Sequence, residues 1–350
     1  MRIAQISPLF ESVPPQLYGG TERVVSYLTE ALVARGHDVT LFASGDSVTA
    51  AKLVSHRDVA LRLDPAPLKS AVAAHLSMLH GIREVADDFD VLHFHIDLLP
   101  LPIFDDIAHK CVFTLHGRQD KQDLPQAYRR WSQFPLVSIS DHQRRPIAWA
   151  NWQQTILHGM PLSVLRPPAA PRGDYLAFLG RISPEKRPDR AIEIARLAGL
   201  QLKIAAKVDA ADKRYFHEVI EPMLADGGVE LIGEIDDAGK PQFLGNAAAL
   251  LFPIDWPEPF GLVMIEAMAC GTPVVAWREG SVPEVIDQGR TGFVVDTVAG
   301  AVDAIERCRQ LDRADVRARF EQRFDAQRMA ADYESLYLWM VEGAPRRMKA

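Results

Sequence analysis

Cysteine is scarce, with three in 350 residues. Cys111, Cys270 and Cys308 lie far apart, and no Cys pair or Cys/His group has the spacing of a metal site. That excludes a disulfide framework or a zinc module. Each thiol sits in or beside an apolar run and is expected buried and free, in a reducing compartment. No stretch approaches the ~18 apolar residues that span a bilayer. Met1–Ser7 enters a strand-like pattern directly, without an apolar leader or a small-residue cleavage site, so no signal peptide is expected and the location reads as cytoplasmic. Positive charge is not in excess. Residues 1–170 hold 16 Lys and Arg against 17 Asp and Glu, and the remainder holds 23 against 29. Neither half has the basic surplus of a dedicated nucleic-acid binder. The first strand-to-helix turn lacks the Gly-x-Gly-x-x-Gly pattern of dinucleotide sites. No Asp-x-Asp arrangement stands out as a metal site.

What is present is an ordinary globular composition, 48% hydrophobic and 24% charged, over a length that suits two domains. In the first half, Ile3–Ser7, Val39–Ala43, Val91–His95, Val112–Leu115, Leu136–Ile139 and Thr155–Leu157 read as strands. Thr21–Arg35 reads as a helix stopped by Gly36, with Thr21 placed to cap it. Continuous apolar strands alternating with helices predict a parallel sheet covered on both faces. Pro167, Pro168 and Pro171 mark a linker over 167–174. The pattern then restarts. Leu176–Leu179, Leu202–Ala205, Val229–Ile232, Ala248–Phe252, Pro273–Ala276 and Gly292–Val295 read as strands. Pro188–Leu197, Arg214–Leu224, Leu262–Ala269, Ala299–Gln310 and Ala326–Val341 read as helices. The expected organisation is a Rossmann-like domain over 1–166, a second over 175–325, and a helix over 326–342 returning to the first. Ligands of such sheets sit beyond the carboxyl ends of the strands. Two sheets in series then predict one cleft.

Three segments carry the chemistry. In Glu258-Pro259-Phe260-Gly261-Leu262-Val263-Met264-Ile265-Glu266, one acid precedes a helix and the other lies about one turn inside it. The first-turn amides of Gly261, Leu262 and Val263 offer an anion site. A carboxylate there suits hydroxyl groups rather than phosphate. On the residues alone, a helix with one N-terminal and one solvated acid is an equal reading. In Phe178-Leu179-Gly180-Arg181-Ile182-Ser183-Pro184-Glu185-Lys186-Arg187-Pro188, two cations follow a strand end, Arg181 suited to paired phosphate contacts and Lys186 to a point charge. Arg187 reads as a solvated face. In Tyr18-Gly19-Gly20-Thr21, two glycines let backbone approach a ligand. His116 ends a strand before Gly117. His93 and His95 are expected on opposite faces of their strand, unable to share a metal, with one lining the cleft.

The Glu258–Glu266 segment with Ala267-Met268-Ala269-Cys270-Gly271-Thr272-Pro273-Val274-Val275 resembles the E-x7-E region of the retaining glycosyltransferases of family four. The resemblance continues through Gly280-Ser281-Val282-Pro283-Glu284-Val285-Ile286, where Gly280-Ser281 stands in place of Gly-Gly, and through Gly289–Val295. Arg181 and Lys186 match the family's Gly-Arg…Lys-Gly segment, with Arg187 where glycine is frequent.

The resemblance implies an α/β GT-B fold, two Rossmann-like parallel-sheet domains facing across a cleft, and a metal-independent retaining transfer of a hexose from a nucleoside-diphosphate sugar. It assigns Glu258 to the donor sugar hydroxyls and Glu266 to the ribose. Arg181 and Lys186 fall to the diphosphate, Gly20 to the donor loop, and His116 to a sugar hydroxyl beside the reacting centre. His158-Gly159 stands where the family often has Asn-Gly. No cofactor is implied, and UDP-glucose is the default donor. The acceptor is a small molecule, a glycan or a lipid. Arg129-Arg130 and Arg144-Arg145 leave weak peripheral membrane contact open, although exposed charge pairs usually face water. The alternatives are a nucleotide-sugar epimerase or phosphorylase, or a non-catalytic nucleotide-sugar-binding protein. An epimerase predicts acids clustered on the first sheet, and a phosphorylase a lysine for a pyridoxal cofactor. The basic tail Arg346-Arg347-Met348-Lys349 reads as disordered.

Overall fold

A computed structural model describes residues 1–16 and 19–343. Tyr18 of the first glycine turn and the basic tail lie outside the described residues. The chain forms two compact units. The first runs from Met1 to Met160 and resumes at Ala326; the second is Pro161–Asp325.

The first unit holds seven strands: β1 Arg2–Ile6, β2 Asp38–Ala43, β3 Lys52–Ser55, β4 Val91–Phe94, β5 Cys111–Thr114, β6 Leu136–Ser138 and β7 Trp152–Thr155. They pair in parallel in the order β3-β2-β1-β4-β5-β6-β7. The second holds β8 Tyr175–Arg181, β9 Gln201–Lys207, β10 Val229–Leu231, β11 Ala247–Phe252, β12 Val274–Trp277 and β13 Gly292–Val295. These pair in parallel as β10-β9-β8-β11-β12-β13. Both orders reverse direction next to the first strand of their sheet. A doubly wound sheet offers its ligand crevice at that switch point, outside the carboxyl ends. In the first unit the switch lies between β1 and β4, in the second between β8 and β11.

Apolar side chains fill the space between strands and helices. Leu92, Phe94, Phe104, Phe113 and Phe134 pack in the first unit, and Leu176, Ile192, Ile204, Leu251 and Ile305 in the second, all buried. All three cysteines are buried and free. Among the described residues, no helix is long and apolar enough to cross a membrane.

Several elements differ from the sequence reading. β3 was not expected; it is a half-buried edge strand of mixed character. The last strand of the first sheet is Trp152–Thr155, not the apolar run that follows it. α1, Gly20–Ala34, starts one residue early with Gly19 as its cap, so Thr21 lies inside the helix. α2, Ala71–Glu84, is capped by Ser70, whose side chain accepts from the Ala73 amide. In the second unit, α3 is Pro188–Leu197 and α4 is Leu262–Ala269, both as read. α5 is Val298–Cys308. α6, Arg313–Phe324, was missed, because only Val316, Phe320 and Phe324 bury on it. The C-terminal helix Ala326–Glu342 belongs to the first unit, where it packs against α1. Glu334 accepts hydrogen bonds there from Arg35 and His37.

Candidate active site

In the second unit the loops after β8 and β11 meet at the switch point. β11 ends at Phe252, and Pro253 to Phe260 carry the chain to the start of α4. Gly261 caps that helix in a left-handed conformation, φ +79° and ψ +70°. The leading amides of any α-helix lack intrahelical partners, so this end carries partial positive charge toward the strand edge.

Glu258 stands just before it, 8% exposed. Its carboxylate forms an ion pair with Lys186, which arrives from the loop after β8. Trp256 Nε1 donates to the same carboxylate oxygen at 3.0 Å. The Lys186 ammonium also lies 4.7 Å from the Trp256 ring centre and 5.6 Å from that of Phe252, a cation–π arrangement that helps hold it. The backbone is clamped as well. Ser281 N–H donates to the Glu258 carbonyl at 3.0 Å, and Ser281 Oγ donates to the Phe260 carbonyl at 2.7 Å. Gly280, at φ +57°, packs so closely that a Cβ there would sit 2.2 Å from the Glu258 carbonyl oxygen.

Glu266 lies on α4 and is 5% exposed. It is not a solvated acid. Lys240 Nζ donates to Glu266 Oε1 at 2.7 Å and lies 3.0 Å from Asp237 Oδ1. Lys240 escaped the sequence reading, since an isolated lysine 26 residues before its partner gives no local signal. Arg181 ends β8. Its guanidinium donates to Glu185 Oε1 at 2.8 Å and lies 3.6 Å from Asp209 Oδ2. Arg187 is not a solvated face. It is left-handed, φ +54°, and donates to Asp255 at 2.9 Å and to Asp189. An L side chain costs energy in that region, which accounts for glycine being frequent at this place in the resembling family.

The first unit carries Gly20, the opening residue of α1, and His116, just past β5. His116 Nε2 lies 2.9 Å from His95 Nδ1, and its ring stacks on His158 with centres 5.2 Å apart. The rings of His93 and His95 are in contact, centres 4.1 Å apart. They are therefore not on opposite faces; residues two apart on a strand share a face. Among the described residues no group of three or more His, Cys, Asp or Glu side chains is placed to hold a metal. Loss of solvation, reinforced by neighbouring imidazoles, holds His93, His95 and His158 well below the usual histidine range. His116 is pushed down to about 3 by the same loss of water. The cluster is neutral at physiological pH.

Glu22, near the start of α1, is raised to about 7 by burial and the nearby Glu11. Of the basic pairs left to solvent by the sequence reading, Arg129 stacks over Trp149 at 4.8 Å. Arg144 donates to Ser138 Oγ and lies over Trp152.

The structure thus brings Lys186 and Glu258 into contact, gives Glu266 a lysine of its own, and ties Arg181 to other acids. Gly20 and His116 are on the other unit.

Comparison with known proteins supplies the context. Residues 167–323 match the family described as Glycosyl transferases group 1, and residues 18–158 match Glycosyltransferase Family 4. The chain is 30% identical over 338 residues to the phosphatidyl-myo-inositol mannosyltransferase of Mycobacterium leprae, spanning 84% of this chain and 83% of that protein. Its fold resembles sucrose-phosphate synthase from Thermosynechococcus elongatus, with a TM-score of 0.75 at 19% identity, covering 98% of this chain and all of that one. It also resembles Anabaena HepE, solved in complex with UDP and glucose, with a TM-score of 0.71 at 16% identity, covering 96% and 99% of the two chains. Two Rossmann-like parallel sheets with such neighbours define the GT-B fold.

Proposed function

Because the chain belongs to the group 1 glycosyl transferases of family four, we propose that it moves a hexose from a nucleoside-diphosphate sugar to an acceptor hydroxyl with retention of anomeric configuration. The Lys186–Glu258 ion pair carries this reading. A cation and a carboxylate meet at the amino end of α4, each only about a tenth exposed. A sugar diphosphate exchanges both partners at once. Its phosphate oxygens take the ammonium, and its sugar hydroxyls donate to the carboxylate. The helix end adds positive potential toward the same oxygens.

In the reaction the bond between the anomeric carbon and the phosphate oxygen breaks, and negative charge gathers on the leaving diphosphate. Lys186, Arg181 and the amides of Gly261, Leu262 and Val263 stabilise that charge by preorganised electrostatics. The acceptor oxygen bonds to the anomeric carbon from the face the phosphate leaves, and its proton passes to the phosphate oxygen. No metal takes part. Glu266 holds the ribose hydroxyls while Lys240 keeps it aimed. His116 contacts a hydroxyl of the sugar, and Gly20 lies in the donor loop. The relative from M. leprae is named for a mannosyl transfer to an inositol lipid, and HepE is complexed with UDP and glucose. Mannose and glucose are therefore the first sugars to test, and an inositol-bearing acceptor the first acceptor.

Nucleoside-diphosphate release from a panel of UDP, GDP, ADP and TDP sugars, with soluble inositol or inositol lipid present, tests the proposal. Acceptor-dependent release is expected with one donor class. Glu258→Gln and Lys186→Ala should each lower kcat/KM roughly ten- to a hundredfold, the value of one charge-assisted hydrogen bond. Wild-type turnover in both variants would refute the site.

A further inference from the structure

A buried polar chain crosses the first unit beneath His116. Gln5, in β1, is fully buried, and a buried amide must use both of its ends. Its Nε2 lies 3.2 Å from Tyr337 Oη and 3.4 Å from His93 Nδ1. Its Oε1 lies 2.8 Å from His95 Nε2. An amide nitrogen only donates and an amide oxygen only accepts. His95 therefore carries its proton on Nε2, where it donates to Gln5. That leaves His95 Nδ1 with a lone pair facing His116 Nε2 at 2.9 Å, and the proton of that contact belongs to His116. A neutral imidazole has a single N–H, so His116 Nδ1 is an acceptor. Among the described residues nothing bonds to that atom.

The rest of the chain obeys the same order. Tyr337 Oη receives the Gln5 amide and donates to His93 Nδ1 at 2.6 Å. His93 Nε2–H donates to Thr114 Oγ1 at 2.7 Å, and Thr114 in turn meets Tyr333 Oη at 2.7 Å.

We propose that Gln5 and His95 are positioning residues that fix His116 as the Nε2–H tautomer, so that its Nδ1 accepts a hydrogen bond from a hydroxyl of the transferred sugar or the acceptor. This rests on the reading of His116 as a sugar contact. The opposite tautomer would present an N–H, and the hydroxyl would have to turn its own proton elsewhere. The imidazole orders the hydroxyl only if its proton sits on one nitrogen, and the orientation of the Gln5 amide, oxygen toward His95 and nitrogen toward Tyr337, sets which one.

Imidazole nitrogen NMR and steady-state kinetics with the established donor test this together. In the wild type, His95 and His116 are expected protonated on Nε2. Gln5→Met, which keeps the side-chain volume and removes the acceptor, should give mixed tautomers at His116. It should also lower kcat roughly tenfold, the worth of one ordered hydrogen bond, with the donor KM unchanged. Gln5→Glu restores an oxygen facing His95 and should recover the Nε2–H form and most of kcat. Tyr337→Phe should leave the His116 tautomer as it is. Protonation of His116 on Nδ1 in the wild type overturns the inference without any variant. Unchanged tautomer and kcat in Gln5→Met overturn it too, even where His116→Ala slows turnover and so upholds the sugar contact. Wild-type turnover in His116→Ala overturns the assignment of a ligand to Nδ1.

Discussion

Lys240 and Glu266 meet at 2.7 Å with both side chains less than a tenth exposed, and Asp237 Oδ1 lies 3.0 Å from the same ammonium. Removing one member of a buried pair leaves the other charge without compensation, at a cost of about 3–5 kcal/mol. Lys240→Met should therefore lower stability by that amount in urea unfolding, and should raise the donor KM. Adding Glu266→Gln should return part of the stability and none of the binding. A single-variant loss below about 1 kcal/mol, the range of exposed pairs, would show that the pair is not buried in solution.

The Gly280 contact with Glu258 makes a second prediction. Gly280 and Gly289 are both left-handed, at φ +57° and +75°. A Cβ on Gly280 meets the Glu258 backbone oxygen at 2.2 Å and its nitrogen at 2.4 Å, whereas on Gly289 the nearest atom is 3.9 Å away. Gly289→Ala should cost only the conformational term, about 1–2 kcal/mol. Gly280→Ala must also displace Glu258, and should lose more than tenfold in kcat/KM beyond any loss of stability. Equal effects from the two variants would argue against a clamp on Glu258.

The imidazole cluster makes stability depend on pH. His93, His95, His116 and His158 are depressed in the folded chain, so below about 6.5 the unfolded chain binds more protons than the folded one. Above 6.5 they are neutral in both states; as pH falls below it, each imidazole kept neutral by the fold costs up to about 1.4 kcal/mol of stability per pH unit, for His116 down to about 3. Glu22, raised to about 7, works the other way between about 4.5 and 7. Four groups outweigh one, so urea midpoints should fall between pH 6.5 and 5. A midpoint that rises over that interval would contradict the neutral cluster.

Much of the framework was legible because strands covered on both faces read as unbroken apolar runs. Gly292–Val295, Pro188–Leu197 and Leu262–Ala269 have the bounds read from sequence. Edges were harder. Lys52–Ser55 and Trp152–Thr155 are half-buried and mixed in character, so the first gave no strand pattern and periodicity favoured the apolar run after the second. α6 was hidden by its arginines. Arg313 donates to the Gly245 carbonyl, Arg317 to those of Leu162, Leu165 and Ala269, and Arg323 to those of Glu284 and Val285. Those side chains close loops that are remote in sequence, and a local pattern registers them only as charge. Within the site, Glu258 and Lys186 were readable from their motifs. Lys240 and Gln5 were not, because each acts across strands or loops rather than along one. The placement of His93 and His95 on opposite faces was an error of strand period, visible without any structure.

The helix that supplies Tyr333 and Tyr337 to the Gln5–His93–Thr114 chain is translated after all of Pro161–Asp325. A ribosome that has finished the first 160 residues holds a sheet whose central polar side chains still lack their hydroxyl partners. The amino-terminal half therefore reaches its final state last, and a nascent chain stalled before Tyr333 would expose to chaperones and proteases a sheet that the released protein keeps covered.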